Sequence, residues 1–141
     1  MYHSFRLTKG KDLKKEIESY VINNKVSGAI LSGVGCLSKL TIRLADGKSI
    51  LEKAGMFEIV SITGTLSPDG VHIHISVSDE LGNTIGGHLK GGCIINTTAE
   101  VILTIFDNVS FKREYDKETG YNELVILNKY KGIKIKFVNC L

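Results

Sequence analysis

Three of the four histidines are spaced for metal chemistry. His72 and His74 lie two residues apart in Val71-His72-Ile73-His74-Ile75-Ser76-Val77-Ser78, and His88 follows in Ile85-Gly86-Gly87-His88-Leu89. The first stretch alternates apolar and polar residues, the pattern of a β-strand. Side chains at i and i+2 of a strand share a face, so His72 and His74 project together, about 7 Å apart along the strand. Two imidazoles so placed can converge on one ion once a third ligand joins them. His88 is the candidate, because the glycines before it permit a tight turn that folds its segment back over the strand. Imidazole ligands make zinc the default metal. The alternative stays open: a His-x-His on a strand is often a pair of half-exposed polar residues holding no metal. His3 is left over near the N-terminus, where chain ends tend to be mobile.

Two carboxylates raise a related question. Glu100 sits in Thr97-Thr98-Ala99-Glu100-Val101, and Glu58 in Phe57-Glu58-Ile59-Val60-Ser61. Burying a lone carboxylate is costly unless it is paired or coordinated. Glu100 is therefore a candidate fourth ligand, general acid or base, or ion-pair partner; the plainer reading of either residue is an exposed strand position. Asp79 could accept from an imidazole N–H, but its surroundings favour a turn. Other chemistries find little support. Gly82-Asn83-Thr84-Ile85-Gly86-Gly87 lacks the lysine and hydroxyl of a P-loop, Ser32-Gly33-Val34-Gly35 lacks dinucleotide-binding spacing, and no nucleophile elbow appears. Cys36, Cys93 and Cys140 are odd in number and widely spaced, with neither a zinc pattern nor a disulfide framework. Cys36 and Cys93, in apolar surroundings, read as small buried residues.

The elements that must position the histidines are mostly strands. Ser4 to Leu7 suits a short first strand. Lys11 to Asn24 carries Leu13, Ile17, Tyr20 and Val21 at helical spacing, with Asn23-Asn24 ending the helix. Gly28 to Gly35 is a glycine-punctuated strand with a bulge or bend, Leu37 to Leu44 alternates, and Asp46-Gly47 is a turn. Met56 to Leu66 is a long strand, and Ser67-Pro68-Asp69-Gly70 is a hairpin turn into the histidine strand. Asp79 to Gly87 reads as a second turn region, Ile94 to Phe106 as a buried strand, and Leu124 to Leu127 as a further one. The tail from Asn128 to Phe137 alternates Lys134 and Lys136 with Ile133, Ile135 and Phe137, an added edge strand whose lysines deter aggregation. A phosphate-binding strip is its alternative.

Composition sets the limits. The 141 residues suit one domain, 1–141, and 43% hydrophobic content marks a globular chain. No apolar run is long enough to span a membrane, and the N-terminus lacks a signal-peptide pattern, so a cytoplasmic location is expected. The net charge of +3, from 18 basic and 15 acidic residues, is too small to argue for nucleic acid. Three scattered arginines, Arg6, Arg43 and Arg113, are a poor start for base readout.

Taken in order, four segments resemble the PPC domain, the plants and prokaryotes conserved domain. They are Phe57 to Thr65, His72 to Asp79, Gly86-Gly87-His88-Leu89, and Thr98-Ala99-Glu100-Val101. The resemblance spans about 4–127, and the tail 128–141 lies outside it. It implies an α+β domain, a mainly antiparallel sheet with one principal packed helix, assembled as a homotrimer. Members are commonly labelled DNA-binding, a label derived largely from plant proteins that carry AT-hooks. This chain has no Arg-Gly-Arg-Pro core. The chain is closer to the stand-alone prokaryotic type, where the resemblance implies a metal site on His72, His74 and His88, with Glu100 as a nearby acidic group.

Two functions of different class follow. One is a trimeric binding module contacting DNA, weakly and without sequence preference, or another protein. The other is a small metal-dependent enzyme, because three imidazoles leave a coordination position open. Metal content of the purified protein and a salt-dependent DNA titration discriminate between them.

Overall fold

The computed structural model describes residues 1–129 and 134–135. Alternation in the sequence becomes strand in most of the chain. β1 (Tyr2–Thr8) precedes α1 (Leu13–Asn23), followed by β2 (Gly28–Arg43), β3 (Ile50–Ser67), β4 (Gly70–Ser78), β5 (Thr84–Leu89) and β6 (Ile94–Ile105). A smaller group follows: β7 (Val109–Tyr115), β8 (Asn122–Asn128) and β9 (Lys134–Ile135). The expected architecture, mainly antiparallel sheet with one packed helix, is the one observed.

The helix forms where its apolar stripe can be buried. Leu13, Ile17 and Val21, four residues apart, are each fully buried, and burying such a side chain contributes about 1.5–3 kcal/mol. Asp12 caps the helix by accepting from the Lys15 amide at 3.2 Å, and its other oxygen accepts from the Gly92 amide at 2.7 Å. One carboxylate thus fixes both the helix start and the segment leading into β6. These residues join one continuous core with Leu37, Leu40, Ile42, Leu66, Ile73, Leu89 and Leu103.

The main sheet runs β1-β6-β2-β3-β4-β5, and β5 also pairs with the end of β2. That extra pairing, Ile42↔Leu89 and Arg43↔His88, curls β2 to β5 round upon themselves. Register shifts in β2 between Ile30 and Ser32 and between Gly35 and Leu37 are the expected bend, which joins the two predicted strands into one. The β3–β4 hairpin closes at Ser67↔Gly70, as the Ser-Pro-Asp-Gly turn requires.

One expectation is corrected. The turn after β4 is closed by Asp79, whose carboxylate accepts from the Leu81 and Asn83 amides at 3.0 and 2.9 Å. Gly86 and Gly87 belong to strand β5, not to a turn. Their role is close approach: a Cβ on Gly86 would lie 2.7 Å from the Ile75 carbonyl oxygen, and one on Gly87 2.6 Å from that of Arg43. His3 likewise lies in an ordered strand, β1.

The β7–β8 hairpin had no counterpart in the sequence reading before Leu124. It docks on the main sheet through Ser67, whose hydroxyl donates to the Phe111 carbonyl at 2.9 Å, and Ser27, whose hydroxyl accepts from the Phe111 amide at 2.9 Å. Phe111 and Val125 are buried beneath it. In the tail, Lys134–Ile135 pairs with β8 as an edge strand; the remainder, 130–133 and 136–141, lies outside the described residues. Among the described residues no helix is long and apolar enough to cross a membrane.

Candidate metal centre

Register brings the histidines together. Thr63 pairs with His74, His74 with His88, and His88 with Arg43, so these four form one row across β3, β4, β5 and β2. Directly opposed residues of antiparallel strands share a face. His72 stands in the adjacent row, opposite Thr65. The burial pattern agrees: Ile73 and Ile75 turn into the core, and His72 and His74 face outward.

The three imidazoles form a compact triangle with ring centroids 4.9, 5.2 and 5.6 Å apart. One nitrogen from each ring lies within 4.8 Å of the others. Nε2 of His72 is 3.1 Å from Nε2 of His74. Tetrahedral zinc with bonds near 2.0–2.1 Å places neighbouring ligand atoms about 3.3 Å apart. The donor set therefore fits one ion, with small ring rotations for His88. Buried Nδ1 of His88 has no hydrogen-bond partner among the described residues. Such an orphan costs about 1–3 kcal/mol unless something outside the chain satisfies it.

Electrostatics favour the neutral form of His72 and His88. Burial, reinforced by the Arg43 charge and the neighbouring imidazoles, pushes the His88 pKa down to about 4. His72 is lowered first by burial and then by His74 and Arg113, against an opposing pull from Glu123. Neutral imidazole is the form that ligates a metal.

A cleft of about 220 Å³ opens beside His72 and His88, walled by Arg43, Arg113, Tyr121 and Glu123. Arg113 comes from β7 and is anchored by donating from Nη2 to the Thr65 hydroxyl at 2.7 Å. Arg43 lies over the Tyr121 ring, 5.4 Å from its centroid. Sequence reasoning missed this wall. Arg43 was legible only as one of three scattered arginines, and its approach depends on the β2–β5 pairing.

The remaining candidates lie elsewhere. Glu100 is exposed on β6, opposite Arg6 of β1 and Val34 of β2. Two strands separate β6 from β4, so the chain does not bring this carboxylate to the imidazoles. Glu58 is exposed on β3. Buried Cys93 has its thiol pushed up to about 11 by desolvation, as suits an inert core residue.

The profile of the Plants and Prokaryotes Conserved (PCC) domain matches residues 2–107. The chain belongs to this family. A hypothetical protein of Salmonella cholerae-suis has the same PPC fold, with a TM-score of 0.87 and 31% identity over 92% of this chain and 94% of that one. The bifunctional protein GlmU of Synechococcus sp. (strain JA-3-3Ab) is 44% identical over 125 residues, 88% of this chain but 20% of that protein. The AT-hook motif nuclear-localized protein 25 of Arabidopsis thaliana is 25% identical over 121 residues, 79% of this chain and 40% of that protein. The chain thus spans a fifth of one curated relative and two fifths of the other.

Proposed function

We propose that this PPC protein holds one divalent transition-metal ion, zinc by default, on His72, His74 and His88. The observation that carries the reading is the convergence of three imidazoles, with ligand atoms within 4.8 Å. Among the described residues no fourth His, Cys, Asp or Glu joins the group, and the cleft lies next to it. That arrangement suits an ion with an exchangeable position more than a closed structural site. Such an ion supplies Lewis acidity and acidifies bound water. Metal analysis of protein purified without added chelator tests the reading. About one equivalent of metal per chain, lost in the His72→Ala/His74→Ala double variant while the fold persists, is expected; equal metal content in the two proteins overturns it.

The binding-module reading rests on a different region. Leu31, Val34, Val60 and Ile102 are between 40% and 59% exposed on β2, β3 and β6, the apolar residues of an otherwise outward-facing surface. This supports self-association, and the family resemblance supports a homotrimer, in which cyclic symmetry would relate three copies of the site. Sedimentation at micromolar concentration tests it, and a monomer refutes it. DNA is at most a weak, sequence-independent partner of this chain.

A further inference from the structure

The geometry points to a ligand for the cleft. We propose that the pocket between the histidine triangle and the β7–β8 hairpin binds a small molecule through an oxyanion, a carboxylate or phosphoryl group. The oxyanion is held by Arg43 and Arg113 and faces the open position of the metal. The inference rests on the metal reading for that last contact only; the two guanidinium groups belong to the chain itself.

Three observations carry it. The first is an unused donor. Nε of Arg43 is buried without any hydrogen-bond partner among the described residues, although the guanidinium lies over the Tyr121 ring. A buried guanidinium N–H left unpaired is costly, and a carboxylate or phosphoryl oxygen is the acceptor its planar fork fits best. The second is the choice of charges. Arg113 is carried to the cleft from a separate sheet and fixed there by Thr65 and by a bond from Nε to the Gly70 carbonyl at 3.5 Å. Burial lowers its pKa, so the charge is kept there at some cost. The third is size. At about 30 Å³ per molecule in liquid water, a volume of about 220 Å³ admits a ligand of several heavy atoms.

Glu123 adds a carboxylate to the cleft, near enough to Arg113 and His72 to act on their charge. There an anion alone would be repelled. A molecule with an oxyanion at one end and a hydroxyl or amino donor at the other satisfies the arginines and Glu123 together. Hydroxy acids, amino acids and small phosphate esters of alcohols have this chemistry.

Amide chemical-shift mapping of the apo protein and visible spectra of the cobalt-substituted protein test the proposal, using acetate, glycolate and inorganic phosphate as probes. In the apo protein, shifts that saturate and cluster at Arg43, Val71, Arg113 and Tyr121 are expected. Arg43→Gln should weaken binding by roughly tenfold or more, and Glu123→Gln should remove the preference for glycolate over acetate. Whether acetate or phosphate binds more tightly separates a carboxylate from a phosphoryl ligand. In the cobalt protein the same anions should shift the metal bands. Anion binding without cobalt uptake leaves the pocket standing and sinks the metal. Cobalt uptake with no anion response, or a response unchanged by Arg43→Gln, overturns the pocket.

Discussion

The two ends of the main sheet's strand order, open at β1 and closed against β2 at β5, treat histidine in opposite ways. On edge strand β1, Nδ1 of His3 is 2.7 Å from the Tyr20 hydroxyl, and Nε2 is 3.2 Å from Sδ of Met1. Tyr20 also stacks on Phe5. Both ring nitrogens are accounted for within the chain, and the residue joins strand to helix. On β5, which closes against β2, His88 has a buried nitrogen with no partner among the described residues and crowds against two further imidazoles. Beside it Arg43 is also left with an unused donor. The comparison teaches that residue type says little and hydrogen-bond satisfaction says much. A histidine finished by its neighbours is structural, and a cluster left unfinished awaits a ligand.

The largest test of the contrast is removal of imidazoles from each end. His72→Ala or His74→Ala should lower zinc affinity by more than roughly a hundredfold, since even losing an outer-shell partner costs 10–100-fold. His3→Ala should leave affinity within error and cost a modest amount of stability through the lost Tyr20 hydrogen bond, about 1 kcal/mol. Calorimetric zinc titration with parallel urea unfolding reads both. Equal affinities in the two variants would erase the distinction between the ends.

Glycine on β5 supplies the next test. Gly87→Ala drives a Cβ toward the Arg43 carbonyl at 2.6 Å, and overpacking against backbone costs about 1–3 kcal/mol. It should also shift His88 and weaken zinc binding. Gly82→Ala, in the turn before β5, meets nothing within 4 Å; its φ of +83° is the obstacle, worth roughly 1–2 kcal/mol. It should cost stability and leave zinc affinity unchanged. Thermal unfolding combined with metal titration separates the two effects.

How much of this was legible in the sequence depended on range. His72 and His74 share a strand, so period-two alternation placed them on one face without any tertiary information. The helix and the Ser67–Gly70 turn were legible for the same reason: capping and turn chemistry are local. His88 was singled out, and it does join His72 and His74 in one cluster, but on a different backbone from the one expected. Its glycines suggested a turn, whereas they serve a strand squeezed between Ile75 and Arg43. Arg43, Arg113, Tyr121 and Glu123 were not legible, because their meeting depends on the β2–β5 closure and on docking of the β7–β8 hairpin, contacts between residues tens of positions apart. Glu100 drew attention as a carboxylate in an apolar stretch. Alternation along β6 accounts for it, since Ala99 and Val101 point inward and Glu100 outward.

Acid sharpens the contrast in a smaller way. His72 and His88 have pKa values lowered in the folded state, against an unfolded value of about 6.5. Between about 6.5 and the His88 value of about 4, the unfolded chain binds more protons than the folded one. Stability of the apo protein should therefore decline as pH falls through that window and be fully present above it. Asp46 and Asp79, lowered from 3.8, act below it and stay distinct. Urea midpoints measured across the window should flatten in His88→Gln and keep their slope in His3→Gln. Zinc should move the loss to lower pH by holding the ligands unprotonated.

The smallest effect is expected with DNA. Sequence-independent binding requires several cations able to neutralise phosphates, and specific binding requires side chains that reach base edges. This chain has three arginines. Two of them, Arg43 and Arg113, line the cleft, which leaves Arg6 on β1. The exposed helix surface mixes signs: Lys14 pairs with Glu18, and Lys11 lies 3.3 Å from Glu16. Such ion pairs, the first of them at i,i+4, neutralise a face instead of presenting it. The Arabidopsis relative is named for an AT-hook motif, and this chain spans only 40% of its length. Likeness to that protein thus carries no groove-reading element into the present chain. Affinity for duplex DNA measured across a salt series should be weak near physiological salt and fall with a shallow log–log slope. Assembly into a trimer would raise the apparent affinity through avidity while each copy still contributed few phosphate contacts. Tight binding with a steep slope would show that many phosphates are neutralised and would overturn this expectation. A footprint on one sequence would go further, because it requires side chains that reach base edges.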